Sequence, residues 1–208
     1  MPADRSAATR GAFVASAARF VDTVDAIRPA QWALAASEVW TVRELVAHVV
    51  RGMAVISDYL DAGLPEPDEL LPDAAAYFRT ALDLEGIHAG IAERAVGAAR
   101  AAGDDPPAWA REVVAGAVDR VAATPDDAVI VHFAGSLRFV DYLDTRITEL
   151  VLHTLELQVA CDLEPEVPAD ALAIVNGVLL ALADRADPVG LALALSGRPG
   201  PRICNVLR

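Results

Sequence analysis

Cysteine is almost missing from this chain, and the two present, Cys161 and Cys204, stand far apart with no CxxC spacing. That excludes a disulfide framework and a cysteine-rich zinc site, so any bound metal must be held by histidine and carboxylate. Long apolar runs are missing too. The longest, Ala171 to Ala183, is interrupted by Asn176 and Gly177 and is shorter than the roughly 20 residues a membrane-spanning helix needs. The N-terminus places Asp4, Arg5 and Arg10 ahead of an amphipathic segment and lacks the apolar stretch of a secretory signal, so a cytoplasmic protein is expected. Basic residues are in deficit, 17 against 30 acidic ones, and the formal charge of -13 repels a phosphate backbone or an anionic bilayer. No GxSxG elbow, glycine-rich phosphate loop or dinucleotide fingerprint occurs.

What is present is helical periodicity. From Ser6 to Ile27, the residues Phe13, Ala17, Phe20, Val21, Val24 and Ile27 recur at three- and four-residue steps, and Pro29 ends the pattern. Thr41 with Glu44 three residues later predicts a capping box for a second helix reaching about Asp61, with Val42, Leu45, Val49, Met53, Ile56 and Leu60 buried. Gly63, Pro65, Pro67 and Pro72 predict a loop. Asp73 caps a third helix expected to reach about Ala102, which Gly86 and Gly90 bend or interrupt, and Ala108 to Ala122 forms a fourth through Trp109, Val113, Val114 and Val118. Val129 to Phe133 and Leu137 to Val140 read as a small β-hairpin. The strongest helical pattern follows, Asp141 to Cys161, with Leu143, Ile147, Leu150, Val151, Thr154, Leu157 and Cys161 on one face. Ala169 to Arg185 is a last helix, and the alternating Leu191, Leu193 and Leu195 predict a short extended tail. The fold class is therefore mainly α, with residues 1–187 as one helical domain and residues 188–208 as a tail.

Only four histidines are available as ligands. His48 borders the apolar stripe of the second helix, on the same edge as Leu45, Gly52 and Tyr59. Glu149 and His153, four residues apart, lie one turn above the other at the matching edge of the last long helix. Two facing helices would then present His48, Glu149 and His153 to one point, a donor set that suits zinc, nickel, iron or manganese and leaves positions open. Gly52 would leave room for a substrate, and Glu156, on the face of Glu149 and His153, would support His153 or act as a general base. A plainer reading stays open at this point: a helix-edge histidine at the core boundary and a surface Glu-x3-His pair, with Arg146 and Glu149 pairing across one turn. His88 and His132 have no carboxylate at helical spacing and read as structural or exposed.

The run Val39-Trp40-Thr41-Val42-Arg43-Glu44-Leu45-Val46-Ala47-His48 resembles the Trp-Thr-Val-x-Asp/Glu-Leu-x-x-His signature of the mycothiol-dependent maleylpyruvate isomerase N-terminal domain family, a group of DinB-like metal-binding bundles. Arg146 to Leu157 resembles the family's Arg-x-x-Glu-x-x-x-His-x-x-Asp-Leu segment, with Glu156 in place of the Asp, Leu155 in place of a Trp, and Val39 in place of a Gly before Trp40. The resemblance implies a DinB-like four-helix bundle with additional short helices, and a divalent metal, usually zinc, on His48, Glu149 and His153. It also implies mycothiol or another low-molecular-weight thiol as cofactor, and a tail that looks like a fragment of a second domain. The expected activity is that of a metal-dependent thiol transferase or isomerase of the actinobacterial DinB-like group, acting on a small electrophile. The alternative is a non-catalytic bundle in which the metal is structural or the pocket senses a small ligand. Expected partners are a small thiol and an electrophile, without nucleic acid or membrane, and a homodimer is allowed for.

Overall fold

A computed structural model describes residues 2–62, 69–200 and 206–207, so the predicted loop at Gly63, Pro65 and Pro67, and Cys204, lie outside the described residues. Helix α1 is Pro2–Ala26, and a 3-10 turn at Pro29–Gln31 follows. Helix α2 is Val42–Asp61, and Thr41 caps it as the sequence predicts: its hydroxyl accepts from the Glu44 N–H while the Glu44 carboxylate accepts from the Thr41 N–H. Helices α3 (Ala74–Leu82) and α4 (Ile87–Ala101) divide what the sequence suggested as one long helix. The division falls at Gly86, whose φ of 73° is open to glycine but strained for other residues. Asp73 caps α3 by accepting from the Ala76 N–H, as expected.

Helix α5 (Pro106–Ala123) precedes the hairpin, in which β1 (Val129–Ile130) pairs antiparallel with β2 (Leu137–Arg138). Gly135 makes the turn at φ 113°, and a side chain there would run into Leu71, whose nearest atom lies 2.5 Å from the Cβ position. Helix α6 (Phe139–Ala160) follows directly, and α7 (Ala169–Ala186) comes next.

The tail is a correction. Residues Pro188–Leu195 form a helix, α8, where the alternating leucines suggested an extended strand. Asp187 caps it through the Gly190 N–H, Pro188 occupies the first turn, where no N–H is needed, and alanine and leucine carry the rest. With no neighbouring strand to satisfy an extended backbone, local helix propensity decides.

Four helices make the bundle. α1 packs on α5 and α6, and α2 packs on the same pair from the other side. The shared core takes Phe13 and Phe20 from α1, Leu45, Met53 and Ile56 from α2, and Leu143, Ile147 and Leu150 from α6, all fully buried. Each contributes about 1.5–3 kcal/mol of apolar burial. On α5 the buried line is Ala110, Val114, Ala117 and Val121, while Trp109, Val113 and Val118 flank it half-buried. α4 covers α2, and α7 covers α6 and α1. The α2–α6 contact sets the helix that carries His48 beside the helix that carries Glu149 and His153.

Candidate metal centre

A short loop places the first aromatic wall. The Ser37 hydroxyl accepts from the Trp40 N–H at 3.1 Å, and the Trp40 carbonyl accepts from the Ala36 N–H at 2.9 Å. Trp40 is thereby fixed one residue before the α2 cap, and its indole stacks on the His48 ring at 4.6 Å between centroids. The Trp40 Nε1–H is buried and has no hydrogen-bond partner among the described residues.

Glu149 reaches from α6 into the space between the two imidazoles. Its Oε2 lies 3.1 Å from His48 Nε2 and 3.3 Å from His153 Nε2. The three donor atoms all fall within 4.8 Å of one another. Ligands about 2.1 Å from a tetrahedral zinc stand about 3.4 Å apart, so both contacts to Glu149 have the spacing of coordinating neighbours. The other nitrogen of His153, Nδ1, faces Glu156 Oε2 at 2.7 Å, which turns Nε2 toward the shared point. The fold thus brings His48 of α2 together with Glu149 and His153 of α6.

The protonation balance shows how the site manages charge in this state. Burial favours a neutral Glu149, but His153 and His48 outweigh it and hold its carboxyl well below the usual range. Burial lowers His153, yet Glu149 and Glu156 together bring it up to about 9. His48 is lowered, mainly by burial, with His153 and Arg146 adding to the effect against Glu149. A carboxylate set between two imidazoles is a donor group that could hold a cation.

Two expectations change here. Arg146 makes no ion pair with Glu149 or with any other described residue, because Glu149 is drawn toward the histidines. The space beside Gly52 adjoins this arginine: a Cβ at Gly52 would lie 3.4 Å from Arg146 Nη1. Arg146 as a whole is only 9% exposed, its Nε–H donates to the Thr145 hydroxyl at 3.1 Å, and its guanidinium lies over the Tyr142 ring at 5.1 Å.

Around that guanidinium stands a polar aromatic cluster that the sequence did not reveal. Tyr59 and Tyr77 pack against Tyr142 at 6.2 and 6.4 Å, and both meet the ring of His132. His132 Nδ1 accepts from the Ala134 N–H at 3.0 Å, and Nε2 lies 3.3 Å from the Tyr77 hydroxyl. His132 is thus a structural residue, as expected, while the His88 side chain lies outside the described residues. The one sequence signal was Tyr59, on the same α2 edge as His48 and Gly52; the rest come from α3, the hairpin and α6 and meet only in three dimensions.

The sequence model of the mycothiol maleylpyruvate isomerase N-terminal domain matches residues 13–158, well over half of the chain. No curated protein sequence matches, and no solved structure matches.

Proposed function

We propose, from the premise that this chain belongs to the mycothiol maleylpyruvate isomerase N-terminal domain family, that it binds one divalent metal through His48, Glu149 and His153 and uses a small thiol to transform an electrophile. The observation that carries this reading is the convergence of three suitable donors from two helices on one point. Zinc is the metal proposed, since imidazole and carboxylate together suit a borderline cation. Mycothiol, the thiol in the family's description, is the cofactor proposed. When bound, a divalent cation there favours thiolate over thiol.

Among the described residues, the chemistry on hand supports a thiol supplied from outside. Cys161 is fully buried, and burial pushes its thiol up, away from the nucleophilic thiolate. Lysine is absent, so no side-chain amine is available for Schiff-base chemistry. With a metal bound, His48 and His153 would present neutral ring nitrogens to it and Glu149 would compensate its charge, while Glu156 orients His153 through Nδ1. Trp40 stacks on one face of His48 and excludes water from it, and its buried Nε1–H has no acceptor among the described residues. The reaction class is thiol addition to an electrophile followed by isomerisation or transfer.

Elemental analysis of the purified protein tests the first half. About one equivalent of zinc is expected in the wild type, with His48→Ala and His153→Ala both falling well below it. Turnover of an electrophile panel with and without mycothiol tests the second half. Fully metallated protein without thiol-dependent turnover would leave a binding protein and remove the enzyme.

A further inference from the structure

We infer that Arg146, with the hydroxyls of Tyr77 and Tyr142, forms a carboxylate-binding subsite next to the His48, Glu149 and His153 triad. The inference deepens the proposed function by naming a substrate class, a small monocarboxylate, and rests on that reading for the triad's role.

The first observation is an uncompensated charge. Arg146 is buried, its single hydrogen bond comes from Nε, and neither Nη group has a partner among the described residues. A largely buried guanidinium with no ion-pair partner among the described residues is costly, and the acid that acts on it, Glu149, is committed to the histidines. The Tyr142 ring offsets part of that cost through its π face. It supplies no hydrogen-bond acceptor to the fork.

The second observation is independent. The Tyr142 hydroxyl is fully buried and has no hydrogen-bond partner among the described residues, which is uncommon for a buried hydroxyl. Tyr77 adds a further donor. Because His132 Nδ1 accepts from the Ala134 N–H, its proton sits on Nε2 and is donated to the Tyr77 oxygen. That leaves the Tyr77 O–H free to donate elsewhere. Arg146 is in electrostatic reach of the hydroxyls of Tyr59, Tyr77 and Tyr142 and of Glu149. The cluster therefore has spare donors and lacks an acceptor, the complement of an anion.

One guanidinium and neutral phenols match a single negative charge. A carboxylate offers two coplanar oxygens to the guanidinium fork and neutralises it, whereas a phosphate dianion would leave one charge buried. The subsite adjoins the triad, since Arg146 is in electrostatic reach of both His48 and Glu149.

The test is calorimetric titration with propionate and with the isosteric neutral propionamide, on zinc-loaded and on metal-free protein. Wild type is expected to bind propionate at least tenfold more tightly than propionamide in both states. Arg146→Gln should erase the preference, and Tyr142→Phe should reduce it about tenfold. Should Arg146→Gln fail to fold, Tyr142→Phe and Arg146→Lys decide alone, since Lys keeps the charge without the fork. Equal affinity for acid and amide, a preference that survives Arg146→Gln, or tighter binding of inorganic phosphate than of propionate would each overturn the inference. A protein that binds no zinc but still prefers the acid through Arg146 would sink the metal reading and leave the subsite standing.

Discussion

His153 is engaged at both ring nitrogens, by Glu149 at 3.3 Å and Glu156 at 2.7 Å, and the second contact fixes which nitrogen would be presented to a metal. Loss of such outer hydrogen bonds lowers metal affinity by about 10- to 100-fold, and with the Glu156 side chain 42% exposed the lower end applies. Glu156→Gln is therefore expected to weaken zinc binding about tenfold in a chelator competition. The melting temperature of the metal-free protein should hardly move; a large drop there would make Glu156 a stability residue instead. His132 carries a second prediction. Burial, with Arg146 adding to it, pushes His132 from 6.5 down to about 4, and its Nδ1 is occupied as an acceptor. Between those values the unfolded chain binds a proton that the folded chain refuses, so stability is lost as pH falls from about 6.5 through 4. Urea titrations at pH 7 and pH 5 should show a smaller pH-dependent loss for His132→Gln than for wild type. An unchanged slope would mean that His132 titrates normally.

The start of α2 links local chemistry to the site. Thr41→Ala removes one side of the capping box and is expected to cost about 1 kcal/mol in urea unfolding. The cap also sets the angle at which Trp40 enters, so zinc affinity should fall with it, and an unaltered affinity would separate the cap from the site. Much at this scale was legible in the sequence. Thr41 with Glu44, the Leu45-to-Ile56 stripe and Asp73 carry their own instructions, because capping and amphipathic periodicity are local. The break at Gly86 was visible as a glycine, but its position depended on how α3 and α4 pack on separate neighbours. The α8 helix was misread because leucine alternation suits a strand only when a sheet is there to receive it, and here Asp187 and Pro188 start a helix instead. At the site, His48, Glu149 and His153 could be named from helical spacing and family resemblance. The tyrosines around Arg146 could not, since Tyr59, Tyr77, His132 and Tyr142 share no motif and meet only after the bundle closes.

At the scale of the whole molecule, the triad lies across the α2–α6 contact, so a bound ion would tie together two helices far apart in sequence. The unfolded chain keeps at most the Glu149 and His153 pair at helical spacing, and only while that stretch is helical; His48 is then no longer held nearby. An ion that binds the folded state almost exclusively at 100 times its Kd adds about 2.7 kcal/mol of stability. For a domain of this size that corresponds to roughly 5–10 °C in Tm. The formal charge of -13 attracts any cation to the surface, so the specific part must be separated from a general one. Magnesium serves for this, because it prefers an octahedral shell of oxygens and should reproduce only the general part. Thermal melts in zinc should therefore exceed those in equimolar magnesium for wild type, and the two should coincide in His48→Ala. Equal zinc shifts in wild type and His48→Ala would mean that the ion does not bridge the helices, and the convergence of the three side chains would then be packing alone.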